Sequence, residues 1–228
     1  EAPLRAKITL INNETKKKTT QEVFLGDVPM MTERGTFIIN GTERVIIAQI
    51  LRSPGVFFTE NITRDKRYFG AKLIPTRGAW IEIETDGTGV MWVAKDIAKD
   101  QKSGFVEVYR RIRPGDLATD DNAKQLIEGM FFNFSRYDLG KVGRYKVNSR
   151  LGVNLSEDPK HRVLQVDDFI MIVKEIIRMN NNPEAMPDDI DNLNNRRVRL
   201  IGELVQERAR VGFARIEKII KDRMSTAD

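Results

Sequence analysis

Residues 80–104 read WIEIETDGTGVMWVAKDIAKDQKSG, and the chain changes character inside this stretch. Trp80 to Thr85 is strand-like. Asp86-Gly87-Thr88-Gly89 is turn chemistry, and Ala94 to Gly104 is short, polar and linker-like, with little to bury. Strand-like runs dominate before this seam, and apolar residues at helical spacing dominate after it. The chain therefore reads as α+β: a mainly β part over 1–93, a linker over 94–104 and a helical part over 105–228.

Working back from the seam, Gly70 to Ile74 and Val56 to Phe58 are strand-like, separated by the polar stretch Thr59 to Arg67, with Pro75-Thr-Arg-Gly78 as a turn. Leu4 to Asn12 and Gln21 to Leu25 predict a hairpin, its connection Asn13 to Thr20 (NETKKKTT) wholly polar. Gly35 to Asn40 predicts a short strand. Thr42 then stands as the cap of a helix from Glu43 to about Leu51, stopped by Ser53-Pro54-Gly55. Forward of the seam, one helix ends at Arg113-Pro114-Gly115, a second covers about Asp120 to Phe132, and a third about Asp167 to Met179. The fourth and longest has apolar residues at 201, 204, 205, 213, 216, 219 and 220, with Arg196, Arg197 and Arg199 at its start.

Composition narrows the function classes. Hydrophobic residues at 40% and charged residues at 31% suit a folded chain of one or two cores. With no cysteine, disulfides, thiolate metal sites and thiol nucleophiles are excluded, which points to the cytoplasm. The start EAPLRAKITL has no secretory pattern. The apolar runs Val45 to Ile47 and Ile170 to Val173 fall far short of the roughly 20 residues that span a bilayer, so no membrane partner is expected. A net charge of +5 permits contact with nucleic acid without requiring it.

No catalytic constellation emerges. His161 is the only histidine, in the loop Pro159-Lys-His-Arg162, and lacks the partners of a triad or zinc site. Gly87-Thr-Gly89 lacks the Lys-Ser/Thr of a phosphate-binding loop. Asp167-Asp168 reads as helix capping rather than metal ligation. Two arginine segments carry more. In Leu51-Arg52-Ser53-Pro54-Gly55 a stiff turn presents one guanidinium, as an ion pair or as a ligand-binding fork. In Asp188-Asp-Ile-Asp-Asn-Leu-Asn-Asn-Arg-Arg-Val-Arg199, three arginines at a predicted helix start oppose the helix dipole at about 0.5 kcal/mol each. Anion binding and a solvated, ion-paired face both fit.

These segments, with Gly26-Asp-Val-Pro-Met-Met-Thr32, Gly35-Thr-Phe-Ile-Ile-Asn-Gly-Thr-Glu-Arg-Val45, Gln49 to Phe58, Pro75-Thr-Arg-Gly-Ala-Trp80, Tyr109-Arg-Arg-Ile-Arg-Pro-Gly115, Arg136-Tyr-Asp-Leu139 and Gly143-Arg-Tyr-Lys-Val-Asn148, resemble the β subunit of bacterial DNA-directed RNA polymerase over nearly the whole chain. The resemblance implies a protrusion-like fold leading to the fork region, with the lobe domain, which the family inserts between the Trp80 and Tyr109 segments, replaced by the short linker. It implies a scaffold in a nucleotidyltransferase, inactive alone because the magnesium-holding aspartates belong to the β′ subunit, with no cofactor in this chain. Implied partners are the β′, α and σ subunits, DNA, and a transcription-repair coupling factor or CarD-type regulator. Matching positions imply that Arg52, Ile190, Asp191 and Arg196 receive a flipped nontemplate guanine, a pocket completed by residues beyond this chain. Trp80 would stack on a nontemplate base, core packing being its other reading. Lys18, Thr19, Thr20, Gln21, Glu22 and Val23 would offer a strand edge to regulators. A stand-alone basic nucleic-acid-binding protein is the alternative.

Overall fold

The computed structural model describes residues 1–13, 15–63, 66–85, 91–92 and 101–226. The fold is α+β, with strands in the amino-terminal half and five α-helices among the described residues of the carboxyl-terminal part. Contacts divide the chain into two units, one of residues 1–49 and 198–228 and one of residues 50–197.

In the first unit, β1 (Ala2–Ile11) and β2 (Lys18–Val28) form an antiparallel hairpin from Ala2↔Val28 to Ile11↔Lys18, with a register shift at Leu4/Arg5. The polar connection is thus shorter than its composition suggested, because Lys18–Thr20 pair with Ile11, Leu10 and Thr9. The Thr9 and Thr20 hydroxyls meet at 3.0 Å and Arg5 pairs with Glu22, cross-strand contacts that pin the register.

The helix expected from Glu43 to Leu51 does not form. Phe37–Ile39 (β3) and Thr42–Arg44 (β4) make a tight hairpin, and Gln49–Arg52 (β5) is extended. Asn40 and Gly41 both have positive φ (51° and 74°), the backbone of the two-residue hairpin turn. That turn overrides Thr42 as a helix cap, and the β-branched Val45, Ile46, Ile47 and Ile50 favour extended backbone. None of this unit's described residues is buried, and Phe24, Ile47 and Phe213 are at least half exposed.

The second unit holds the main core. Gly55–Thr63 (β6), Lys66–Ile74 (β7), Ile81–Thr85 (β8) and Met91–Trp92 (β9) form an antiparallel sheet in chain order. The polar stretch Thr59–Arg67 does not separate strands, since most of it extends the β6–β7 hairpin as far as Thr63↔Lys66. Along β8, Ile81, Ile83 and Thr85 are buried while Glu82 and Glu84 are exposed, matching the alternation in the sequence.

Residues 94–100 of the expected linker lie outside the described residues, and Gln101–Gly104 form the first turn of α1 (Gln101–Ile112). Next come α2 (Asp120–Phe131), capped by the Thr119 hydroxyl, α3 (Gly140–Leu151) and α4 (Val166–Asn180). Helix α3 was not legible, because its buried face is Gly143, Arg144, Val147 and Leu151, which is no hydrophobic stripe. It packs on β6 and α4 packs on β7, closing a core that includes Phe58, Phe69, Tyr137, Leu139, Ile172 and Ile176. Strand β10 (Arg196–Arg199) ends before α5 (Ile201–Thr226) begins. The three arginines therefore stand in a strand, and the expected cost against a helix dipole does not arise.

Two motifs prove to be framework. Thr76 and Arg77 N–H donate to Asp138 O (2.9 and 3.0 Å), Asp138 N–H returns to Arg77 O (2.8 Å), and the Thr76 hydroxyl donates to Leu139 O. Gly78 adopts φ +125°, and a Cβ there would fall 2.7 Å from Tyr137 Cδ2, so this turn demands glycine. Within the core, Arg144 makes a two-pronged bond to Asp168 (2.7 and 2.9 Å) and a third to Val163 O, with both ionic side chains fully buried. Asp168 also accepts Gln165 N–H at 3.0 Å, so it is a helix cap as its place in the sequence indicated.

Candidate nucleic-acid interface

The turn after Arg52 is tightly held. Ser53, Pro54 and Gly55 are buried, and Ser53 N–H donates to Asn195 O at 2.8 Å. Gly55 has φ +148°, and an added Cβ would sit 3.2 Å from Lys146 Cβ, so side chains of α3 close directly over the turn. Arg52 itself is exposed, and its side chain makes no hydrogen bond or ion pair among the described residues. It ends a strand rather than a helix, and the ion-pair reading has no partner there.

Residues 188–195, which include a 3-10 turn at Leu193–Asn195, form a loop that is tied down at both ends and leads into β10. Asp188 N–H donates to Phe58 O (2.9 Å) and its carboxylate accepts Phe58 N–H (2.8 Å), while Arg150 bonds the same carboxylate and lies 4.5 Å above the Phe58 ring. The Asp189 carboxylate accepts Asp191 and Asn192 N–H, and Asn195 Nδ2 donates back to Asp189 O at 2.7 Å. From α3, Lys146 Nζ donates to Asn194 O at 2.5 Å, its partial burial pulling the ammonium below the usual lysine range. Asp188 and Asp189 are thus consumed in shaping the loop. Among the described residues no group of three or more His, Cys, Asp or Glu is placed to hold a metal ion.

The loop leaves Ile190 half-buried and the Asp191 side chain 85% exposed, ion-paired with Arg196. Through the Ser53–Asn195 bond, the turn bearing Arg52 is joined to the residue preceding Arg196. The set offers one carboxylate acceptor, two guanidinium forks and an aliphatic surface. That chemistry suits a base edge with its phosphate. Trp80 lies elsewhere, between β7 and β8, and is 54% exposed, so it is not a core residue. Lys146 and Arg150 escaped the sequence reading because their roles depend on α3.

Lys18–Val23 are all exposed on β2, whose only partner among the described residues is β1, so its other edge carries no strand. His161 Nδ1 meets Ser156 Oγ at 2.7 Å, but that hydroxyl donates to Asp158 at 2.8 Å. The serine bridges acid and imidazole instead of being activated by an acid-oriented imidazole, so this is a local turn and not a triad.

A family model described as RNA polymerase Rpb2, domain 2, matches residues 98–199. Across 268 aligned positions the chain is 38% identical to the DNA-directed RNA polymerase subunit beta of Syntrophomonas wolfei, an alignment that takes in 100% of the chain. The chain belongs to the RNA polymerase β-subunit family. It spans 24% of that relative's length. The 268 positions exceed the chain's 228 residues, so the β subunit of the relative carries residues inside this span without a counterpart here. The family-model match includes Ile190, Asp191 and Arg196, while Arg52, Trp80 and β2 fall within the whole-chain alignment alone. No described helix is long and apolar enough to cross a membrane.

Proposed function

We propose that this chain is a scaffold segment of a DNA-directed RNA polymerase that contacts the nontemplate strand through Arg52, Ile190, Asp191 and Arg196. The observation that carries this reading is the Ser53–Asn195 hydrogen bond, which couples an unpaired exposed arginine to the Asp191–Arg196 loop. In this role Asp191 accepts hydrogen bonds from the N–H groups of an extruded guanine, Ile190 packs on its ring, and Arg52 and Arg196 hold phosphate or base. Half-exposed Trp80 provides a stacking surface for another base. The open edge of β2 at Lys18–Val23 receives a strand from a transcription-repair coupling factor or CarD-type regulator.

In the assembled cytoplasmic enzyme the chain works beside β′, α and σ subunits. Magnesium and bond-making belong to β′, and the chain alone makes no RNA. The uncovered apolar residues of the first unit support membership of a larger assembly, since contiguous exposed apolar surface marks interaction sites. The short segment at 94–104 takes the place of the lobe, a reading supported by the alignment being longer than the chain.

Fluorescence-anisotropy titration with single-stranded oligodeoxynucleotides carrying one central guanine or adenine tests the contact. Guanine is expected to bind more tightly, with Asp191→Ala erasing the difference and Arg52→Ala weakening both oligonucleotides. Equal affinity for the two with the unaltered chain would refute base recognition and leave only electrostatic attachment to phosphate.

A further inference from the structure

A second site lies away from this loop, between α1, α2 and the segment after α2. Tyr109, Arg113, Asn122, Gln125, Leu126, Gly129, Asn133 and Arg136 line a cavity of about 430 Å³, within the size range of small-molecule pockets. Its floor is apolar and firm, with Tyr109 and Leu126 buried and packed with Ala123 between the two helices. Its walls carry two guanidiniums, three carboxamides and no carboxylate. Of the acids near these residues in sequence, Glu107 pairs with Arg111, Glu128 with Lys124, and Asp116 with Arg113 at 3.9 Å between two exposed side chains, while Asp120 and Asp121 are exposed in the first turn of α2 and are not among the residues that line the cavity.

Local bonding leaves donors available at the cavity. The Asn133 side-chain oxygen is taken by the N–H and hydroxyl of Ser135, which leaves its Nδ2 for a ligand. Asn122, Gln125 and Arg136 make no side-chain hydrogen bond or ion pair among the described residues. Gly129 keeps the wall open, because a Cβ there would approach Arg136 Nη1 to 3.3 Å. Arg113 lies with its guanidinium 6.0 Å from the Tyr109 ring, which restricts where its charge can point.

We propose that this cavity binds a phosphate-bearing anion of nucleotide size, with Arg113 and Arg136 on the phosphate and the carboxamides of Asn122, Gln125 and Asn133 on the remainder. Paired guanidiniums suit phosphate, because their planar forks match its oxygens two at a time. The site is independent of the nontemplate-strand reading, since it shares no residue with it.

The test follows the backbone amide NMR signals of 109–136 in the full chain, titrated separately with inorganic pyrophosphate, ATP and a single-stranded oligodeoxynucleotide. Saturable shifts centred on Asn122, Gln125 and Gly129 with pyrophosphate or ATP are expected, at a Kd of about 1 mM or tighter. Arg136→Gln and Arg113→Gln should each weaken binding about tenfold. Lys124→Gln, on the same helix but outside the cavity, should leave it unchanged. Gly129→Val fills the wall and should abolish binding while circular dichroism shows the fold intact. Equal loss in Lys124→Gln would reduce the effect to net charge and overturn the site. Shifts with the oligonucleotide alone would overturn the small-ligand assignment by placing the phosphate in a strand. Absence of shifts with all three probes would overturn the proposal outright.

Discussion

Replacing Arg144 with methionine tests how the second unit is held together. Methionine keeps an unbranched apolar stem but ends short of the guanidinium, so the stem's packing is retained and the charge with its hydrogen bonds is what goes. Asp168 then loses two bonds of 2.7 and 2.9 Å, and Val163 O loses its 2.8 Å donor, while the carboxylate stays fully buried with Gln165 N–H as its remaining hydrogen-bond donor. Removing one partner of a buried pair costs about 3–5 kcal/mol, because the survivor's desolvation is no longer offset. With a urea dependence of about 2 kcal/mol per molar, the unfolding midpoint should fall by roughly 2 M. Adding Asp168→Asn removes the orphaned charge and keeps a side-chain acceptor for the Gln165 N–H, so the double variant should regain about 2 kcal/mol over Arg144→Met alone. The assay is urea unfolding of the full chain followed by far-ultraviolet circular dichroism, with slopes compared to confirm the same transition. An Arg144→Met midpoint within experimental scatter of the unaltered chain would refute the reasoning, as would strict additivity of the two substitutions.

Two further outcomes are expected. The Glu175 carboxyl is held below its ordinary 4.5, first by the Arg178 hydrogen bond and, against partial desolvation, by Arg150. Because the folded value is the lower one, its contribution is present above that ordinary value and is lost as pH falls through the folded value. The difference in urea midpoint between the unaltered chain and Glu175→Gln should therefore be visible at about pH 7 and shrink towards pH 3; a difference that persists in acid would remove the carboxylate from the account. On β2, Glu22→Pro and Val23→Pro should between them abolish capture of a coupling-factor or CarD-type domain, since proline removes a ladder donor, whereas Lys18→Ala should do less. Calorimetric titration measures this, and unchanged affinity in both folded proline variants would place docking elsewhere.

Residues that follow a simple period and bury an apolar side were legible in the sequence. The strand at β8, helix α2, helix α4 and the change from strands to helices all came from local pattern, as did Asp168 as a helix cap. The motifs around Arg52 and Asp191 were visible as well, because each is a contiguous run with unusual charge and turn chemistry. What escaped was whatever depended on a partner far along the chain. Helix α3 buries glycine and arginine, and arginine reads as a surface residue until Asp168, from another helix, is placed against it with both charges out of water. The Glu43–Leu51 segment carried a credible helix start, but the Asn40–Gly41 turn pairs Thr42–Arg44 with β3, and a ladder of backbone bonds outweighs one cap. Arg52 and Arg196 are 144 residues apart in sequence, and local pattern has no term for that separation. The pairing of β5 with β10, the Ser53–Asn195 bond and the hold of Lys146 on Asn194 join them, so the sequence by itself singled out the candidate residues, and the tertiary structure decided which of them meet.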